Sequence, residues 1–154
     1  MKYYKKGWYQ MGVIIRNSKI EDFNDVLSLF GQLWPNKELH PIDLEAVFNR
    51  GIQSETDQYI CAVENDKVIG FCALAVVNNF WQEGHIAYVY AMIVEDSFRG
   101  KGIGTSLLEK AFDIAKLMGC KKFELDSGFP REKAHKFYEK IGFEKRAYLF
   151  SRDL

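Results

Sequence analysis

Val94-Glu95-Asp96-Ser97-Phe98-Arg99-Gly100-Lys101-Gly102-Ile103-Gly104-Thr105 is the most informative stretch of this 154-residue chain. It joins an apolar run, His85 to Glu95, to a segment in which Ile103, Leu107, Leu108, Ala111, Phe112 and Ala115 recur at helix spacing before Gly119. Glycines between a strand and a helix let successive N–H groups converge on an anion, and the helix N-terminus adds partial positive charge; together they cradle phosphate. A Walker loop would need G-x-x-x-x-G-K-[ST], which is absent. The dinucleotide fingerprint G-x-G-x-x-G begun at Gly100 would need glycine at 105, where Thr105 stands.

Working outward, His85 to Glu95 alternates Ala87, Val89, Ala91 and Ile93 with Tyr88, Tyr90, Met92 and Val94, so both faces are apolar or aromatic, as in a central strand. Upstream, Tyr59 to Glu64 and Lys67 to Val77 are β-prone runs joined by the hairpin signal Asn65-Asp66. Before them, Val13 to Arg16 reads as a strand. Phe23, Val26, Leu27, Phe30 and Leu33 form a helical stripe, and Pro41 opens a second helix that Gly51 is expected to close. Downstream, Lys122 to Asp126 is a short strand. Ala134, Phe137, Tyr138 and Ile141 share a helix face after Pro130, and Phe143 to Ser151 is a final extended run. The order β-α-α-β-β-β-α-β-α-β predicts a mixed α/β (α+β) fold: a largely antiparallel sheet of six to seven strands flanked by about four helices. Residues 1–12 are expected to be an N-terminal arm and 13–154 a single domain.

Apolar residues make up 47% of the chain and charged residues 27%, and there are only three prolines, which excludes disorder and a Pro-rich linker. The 21 basic and 21 acidic side chains balance, so no high-pI footprint of nucleic-acid binding exists. Cys61, Cys72 and Cys120 are odd in number and lack C-x-x-C spacing, which fits buried thiols in a reducing compartment. No apolar run approaches the roughly 18–20 residues of a membrane span, and the N-terminus lacks a signal-peptide core. A cytoplasmic protein without membrane or nucleic-acid partners is expected, and no metal-ligand cluster stands out.

Arg99-x-x-Gly102-x-Gly104 resembles the acyl-CoA pyrophosphate loop of the Gcn5-related N-acetyltransferase (GNAT) superfamily, and Ala134 to Phe143 resembles that family's second signature, an amphipathic helix bearing a tyrosine and ending in a Gly-Phe turn. The segment Asp126 to Tyr138 is similar to aminoglycoside 6'-N-acetyltransferases and aminoalkylphosphonate acetyltransferases. The resemblance implies that acetyl-CoA is the cosubstrate. It further implies that backbone groups of Met92, Ile93 and Val94 bind pantetheine as an added strand would, and that the amides of Arg99, Gly100, Lys101, Gly102, Ile103, Gly104 and Thr105 hold the pyrophosphate. Arg131 stands where many relatives have asparagine; it either serves phosphate or adenine or is a surface residue. A homodimer is also compatible with the family.

Transfer to an amine needs a base, because an alkyl ammonium is only about one part in two thousand free base at pH 7. The resembling family often carries a glutamate in the strand before the loop, yet Ala87 to Val94 holds no carboxylate. Glu83 and His85 at the entrance to that strand are the nearest candidates, with Asp126 also in reach of the argument; each also reads as an ordinary surface group. Tyr138 matches the family tyrosine that donates to the leaving sulfur, the alternative being a core tyrosine. A phenol and a thiol at their ordinary values make full proton transfer uphill by about 2 kcal/mol, which favours hydrogen bonding. A covalent route through a cysteine is disfavoured, since none has an adjacent histidine to serve as its base. His135 is a helix-surface residue by spacing.

The implied acceptor is a small primary amine. Residues 13–98 hold 13 acids against 5 bases, which favours a cationic acceptor, aminoglycoside- or polyamine-like, with several of Glu38, Asp43, Glu45, Glu55 and Glu83 around it. An aminoalkylphosphonate, a protein or peptide amine, and a non-catalytic acyl-CoA sensor are the alternatives. Phe80, Trp81 and Trp34 either line an acceptor pocket or pack as core.

Overall fold

A computed structural model describes residues 9, 10 and 12–154 of the chain. Its elements run β1 (Tyr9–Gln10), β2 (Val13–Asn17), α1 (Phe23–Leu33), α2 (Pro41–Gln53), β3 (Asp57–Glu64), β4 (Lys67–Asn79), β5 (Gly84–Val94), α3 (Ile103–Leu117), β6 (Lys122–Leu125) and α4 (Glu132–Lys140). Five strands of four or more residues and the two-residue β1 form one sheet in sequence order, and each neighbouring pair from β1 to β5 is antiparallel. The chain divides into two compact units, Met1–Glu124 and Leu125–Leu154.

In the first unit the sheet is covered on both faces, which is why β3 and β4 read as almost unbroken apolar runs. Phe23, Val26, Phe30 and Leu33 of α1 and Phe48 of α2 pack with Tyr59, Cys61, Val63, Phe71 and Ala73 on one face. On the other, Gly70 is closely faced by Leu107 and Ile103 of α3 and by Ala62. Asn65 and Asp66 both take positive φ, 48° and 62°, the geometry a two-residue hairpin turn requires.

Four expectations are corrected. Helix α2 does not close at Gly51 but continues to Gln53, with Gly51 buried inside it. Tyr9–Gln10, read as part of an arm, pairs with Ile14 and Val13. Among the described residues no strand follows α4: the run 143–151 is β-prone in composition but interrupted by Glu144, Lys145 and Arg146, and β-propensity takes effect only where a neighbouring strand supplies packing. Finally, the strict alternation expected of β5 is broken. Ala73 and Leu74 of β4 pair with Ala91 and Val89, so Tyr90 is an extra residue in β5. This bulge places Tyr90 and Ala91, expected on opposite faces, against the same cavity.

In the second unit, α4 is followed by Gly142 at φ 98°, and the amide of Phe143 donates to the Tyr138 carbonyl at 3.0 Å. The turn folds the Phe143 ring edge-on to Tyr138, centroids 5.6 Å apart.

Candidate active site

The glycine turn takes the form its composition demands. Gly100 and Gly102 lie in the left-handed region at φ 75° and 81°, and Gly102 is the N-cap of the 15-residue α3 without any side-chain cap. The first helical bond runs from Ser106 N to Gly102 O (3.0 Å), so the amides of Ile103, Gly104 and Thr105 have no intrahelical acceptor. No acidic residue occupies the first turn of α3, and a Cβ at Gly100 would meet nothing within 4 Å. These features suit a pyrophosphate. The Arg99 side chain, by contrast, holds the turn itself: Nε donates to the Val94 carbonyl at 2.9 Å and the guanidinium pairs with Asp96. Lys101 lies over the Phe98 ring, 4.9 Å from its centroid. Met92, Ile93 and Val94 form the end of β5 that leads into this turn.

A cavity of about 380 Å³ opens beside β5, lined by Val47, Arg50 and Gly51 of α2, by Ser54, and by Asp57, Tyr59 and Tyr90. Asp57 and Tyr90 are 33 residues apart in sequence and on strands separated by β4, yet Tyr90 Oη donates to Asp57 Oδ1 at 2.6 Å. The approach is possible because β4 presents Ala73 and Ala75 between them and the bulge re-aims Tyr90. Tyr90 Oη also lies 2.9 Å from Tyr59 Oη. A phenol has one proton and a carboxylate only accepts, so Tyr90 gives its proton to Asp57 and Tyr59 donates to Tyr90. The second Asp57 oxygen accepts from Ser54 Oγ at 2.7 Å; Ser54 Oγ in turn accepts from the amides of Thr56 and Asp57. Burial, and after it the hydrogen bond to Asp57, pushes the Tyr90 hydroxyl well above the usual phenol value; burial likewise raises Tyr59. Both phenols stay neutral across the working pH range.

Gly51 makes this arrangement fit. A Cβ built there would fall inside the Tyr59 phenol, so α2 reaches the sheet only because residue 51 has no side chain. Next to the polar cavity, a smaller apolar one of about 90 Å³ shares Val47, Tyr59 and Tyr90 with it and is otherwise walled by groups such as Trp34, Phe48, Ala73 and Ala91.

The residues expected from sequence are thus only partly gathered. Glu83 sits in the β4–β5 hairpin at φ 51°, and its carbonyl accepts from Lys121 Nζ. His85 pairs with Asn78 at the start of β5, about 17 Å along the strand from Tyr90. Both are exposed and neither lines the cavity. Phe80 and Trp81, also at that hairpin, are exposed; Trp34 does line the apolar cavity. In the second unit Arg131 is the N-cap of α4, Tyr138 packs between Phe137 and Phe143, Asp126 follows β6, and His135 Nε2 lies 3.0 Å from the Gly128 carbonyl. Cys61 and Cys72 are buried, and burial pushes both thiols up to about 12; Cys120 is raised by the same cause. None is a thiolate near neutrality. Sequence reasoning missed Arg50, Asp57, Tyr59 and Tyr90; a carboxylate at the head of the apolar strand β3, Asp57, is the one signal the sequence carries.

The profile of the acetyltransferase (GNAT) family matches residues 23–143, running through both units, and the chain belongs to that family. It is an acyltransferase of the N-acetyltransferase kind, with acetyl-CoA as cosubstrate. The chain is 28% identical over 138 residues to an uncharacterized N-acetyltransferase of Methanocaldococcus jannaschii, covering 86% of this chain and 61% of that protein. It is 26% identical over 143 residues to the aminoalkylphosphonate N-acetyltransferase of Salmonella typhimurium, covering 91% and 90%. Among solved structures, an acetyltransferase of Trypanosoma brucei aligns with TM-score 0.77 and 25% identity over 92% of this chain and 99% of its own. The aminoglycoside N-acetyltransferase AAC(6')-Iy, in complex with CoA, shares the fold with TM-score 0.81 at 20% identity, over 92% and 94%. Among the described residues no group of His, Cys, Asp or Glu is arranged to hold a metal, and no helix is long and apolar enough to cross a membrane.

Proposed function

We propose that the protein moves the acetyl group of acetyl-CoA directly to the primary amine of a small acceptor seated in the cavity between α2 and β5, with 13–154 acting as one functional domain. The observation that carries this reading is the 2.6 Å Tyr90–Asp57 hydrogen bond at the cavity wall, on the same strand whose end leads into the glycine turn. It supplies the carboxylate that β5 itself lacks. Acetyl-CoA brings the thioester. The amides from Arg99 to Thr105 hold its pyrophosphate, with Arg131 assigned to phosphate or adenine, and the backbone of Met92 to Val94 takes the pantetheine. The Val94 carbonyl already accepts from Arg99, so Met92 and Ile93 carry most of that contact.

Asp57 attracts the acceptor ammonium and the Tyr90 oxygen accepts its proton while the Tyr90 proton passes to Asp57. Tyr138 donates a hydrogen bond to the departing sulfur. These roles replace Glu83 and His85 as the basic group, because neither lines the cavity. The acidic excess of residues 13–98 carries no preference for polycations here: Glu38, Asp43, Glu45, Glu55 and Glu83 are all exposed and none lines the cavity, where Asp57 shares the lining with the cationic Arg50.

The test is release of free CoA thiol from acetyl-CoA over a panel of amines, with calorimetry of acetyl-CoA binding beside it. Asp57→Asn and Tyr90→Phe are expected to lower kcat/KM by roughly 10²- to 10⁴-fold while acetyl-CoA affinity stays within about twofold. Wild-type turnover in folded Asp57→Asn would remove the pair from the mechanism.

A further inference from the structure

The polar cavity and its apolar neighbour together define an acceptor with three chemically distinct parts. At one wall Asp57 and Tyr90 offer a carboxylate and a phenol oxygen. At another stands Arg50, in the last turn of α2, which lines the same space without forming an ion pair with Asp57 or any other described carboxylate. Negative and positive groups that face one cavity without neutralising each other suit a ligand carrying both signs. The third part is the apolar cavity of about 90 Å³, which meets the polar one at Val47, Tyr59 and Tyr90. Its sheet side is built by Ala73 and Ala91 beside Phe71, and its helix side by Phe30, Trp34, Leu44 and Phe48. That volume is on the order of three waters' share of liquid, the scale of a branched aliphatic side chain, and apart from the two phenols and the Trp34 indole its lining side chains are apolar.

We infer that the acceptor is an apolar α-amino acid: its ammonium meets Asp57 and Tyr90, its carboxylate faces Arg50, and its side chain enters the apolar cavity. The inference rests on the acetyl-transfer reading above and names its substrate class. A polyamine would bring a second positive charge toward Arg50, and an aminoalkylphosphonate would leave the apolar cavity unfilled. In the transfer, the amine nitrogen forms a bond to the acetyl carbon as the carbon–sulfur bond breaks. Of the two protons the ammonium loses, one ends on the CoA sulfur and the other leaves through Tyr90 and Asp57 to solvent. The product is the N-acetyl amino acid and free CoA.

The experiment compares L-leucine, L-methionine, glycine, L-leucinamide, a leucine-initiated dipeptide, spermidine and 2-aminoethylphosphonate as acceptors with the full chain, reading CoA thiol release. Leucine and methionine are expected to exceed glycine, leucinamide and the dipeptide by at least tenfold in kcat/KM. Val47→Asp, at a half-exposed position on the shared rim, should shrink the leucine-over-glycine ratio at least tenfold. Arg50→Gln should collapse the leucine-over-leucinamide ratio toward one. Both are ratios within one folded variant, so a general loss of stability cannot imitate them. If spermidine, the phosphonate or the dipeptide is the best acceptor, or if Arg50→Gln leaves the acid-over-amide ratio intact, the amino-acid assignment falls while acetyl transfer stands. If no amine releases thiol from the folded protein, both fall.

Discussion

Replacing Gly51 with alanine separates two effects of opposite sign. In an unconstrained helix interior Gly→Ala is stabilising by about 1 kcal/mol, because glycine loses more backbone entropy on folding. Here the new methyl would overlap three atoms of the Tyr59 ring and hydroxyl. Tyr59 cannot swing aside cheaply. It is 7% exposed, packed against the tilted Phe48 ring at 5.4 Å and edge-on to Phe71 at 5.5 Å between ring centroids, and bonded to Tyr90. Either α2 lifts from the sheet or the ring moves, and overpacking of this kind costs roughly 1–3 kcal/mol. A shift of Tyr59 also costs Tyr90 its second partner, which adds about 1 kcal/mol. Gly51→Ala should therefore destabilise the protein by about 1–3 kcal/mol net of the helix gain, and lower kcat/KM for the acceptor at least tenfold without changing acetyl-CoA affinity. Urea melts and thiol-release kinetics read the two effects. The control is Tyr59→Leu, which removes the overlapped atoms: in that background Gly51→Ala should reverse sign and stabilise by up to about 1 kcal/mol. A Gly51→Ala protein as stable as the wild type, or the same penalty with Leu at 59, would refute the reasoning.

At the glycine turn, Gly102→Asp or Gly104→Asp should raise the acetyl-CoA Kd at least 100-fold through bulk and repulsion of phosphate; a folded Gly104→Asp protein with wild-type affinity by calorimetry would remove the site from consideration. Tyr138→Phe should leave acetyl-CoA affinity unchanged and lower kcat by roughly 10- to 1000-fold where chemistry limits the rate, and an unaltered kcat would return Tyr138 to a packing role. Tyr90 and Tyr59 have pKa values raised on folding, so the stability they confer is complete below the ordinary phenol range and is lost as pH rises through and beyond about 10; Tyr90→Phe should flatten that alkaline loss in thermal melts. Asp22 behaves oppositely: burial pushes its pKa up, but the bidentate Arg16 guanidinium at 2.7 and 2.8 Å and the Lys19 amide outweigh it and hold the carboxyl below its ordinary value. Its contribution is present above the usual carboxylate range and is lost as pH falls through it, and Asp22→Asn should cost about 3 kcal/mol and weaken the acid dependence.

What could be read from the residues alone was whatever depends on near neighbours in sequence. The stripe Phe23, Val26, Phe30, Leu33 closes on itself every turn, and α1 spans Phe23–Leu33 as that spacing predicts. The glycine turn is equally local: its chemistry follows from missing side chains at 100 and 102 and from a helix start next door. Phe143 to Ser151 shows the limit, since a strand exists only in relation to another strand. The Tyr90–Asp57 pair, proposed above as the basic group, is hidden for the same reason, and more deeply. A strand displays its own side chains, but a sheet also brings together residues across strands, and two strand spacings are only roughly 10 Å. A tyrosine and an aspartate can span that distance if the strand between them carries nothing larger than alanine and if the tyrosine is turned toward its partner. Ala73 and Ala75 meet the first condition, the bulge at Tyr90 the second, and both depend on the pairing of β3, β4 and β5. Gly51 adds a third condition, invisible to composition, because its missing side chain matters only where α2 crosses Tyr59. The meeting of Tyr90 with Asp57 is thus set by register, and a one-residue slip of β4 against β5 would separate the two while leaving every motif in the sequence intact.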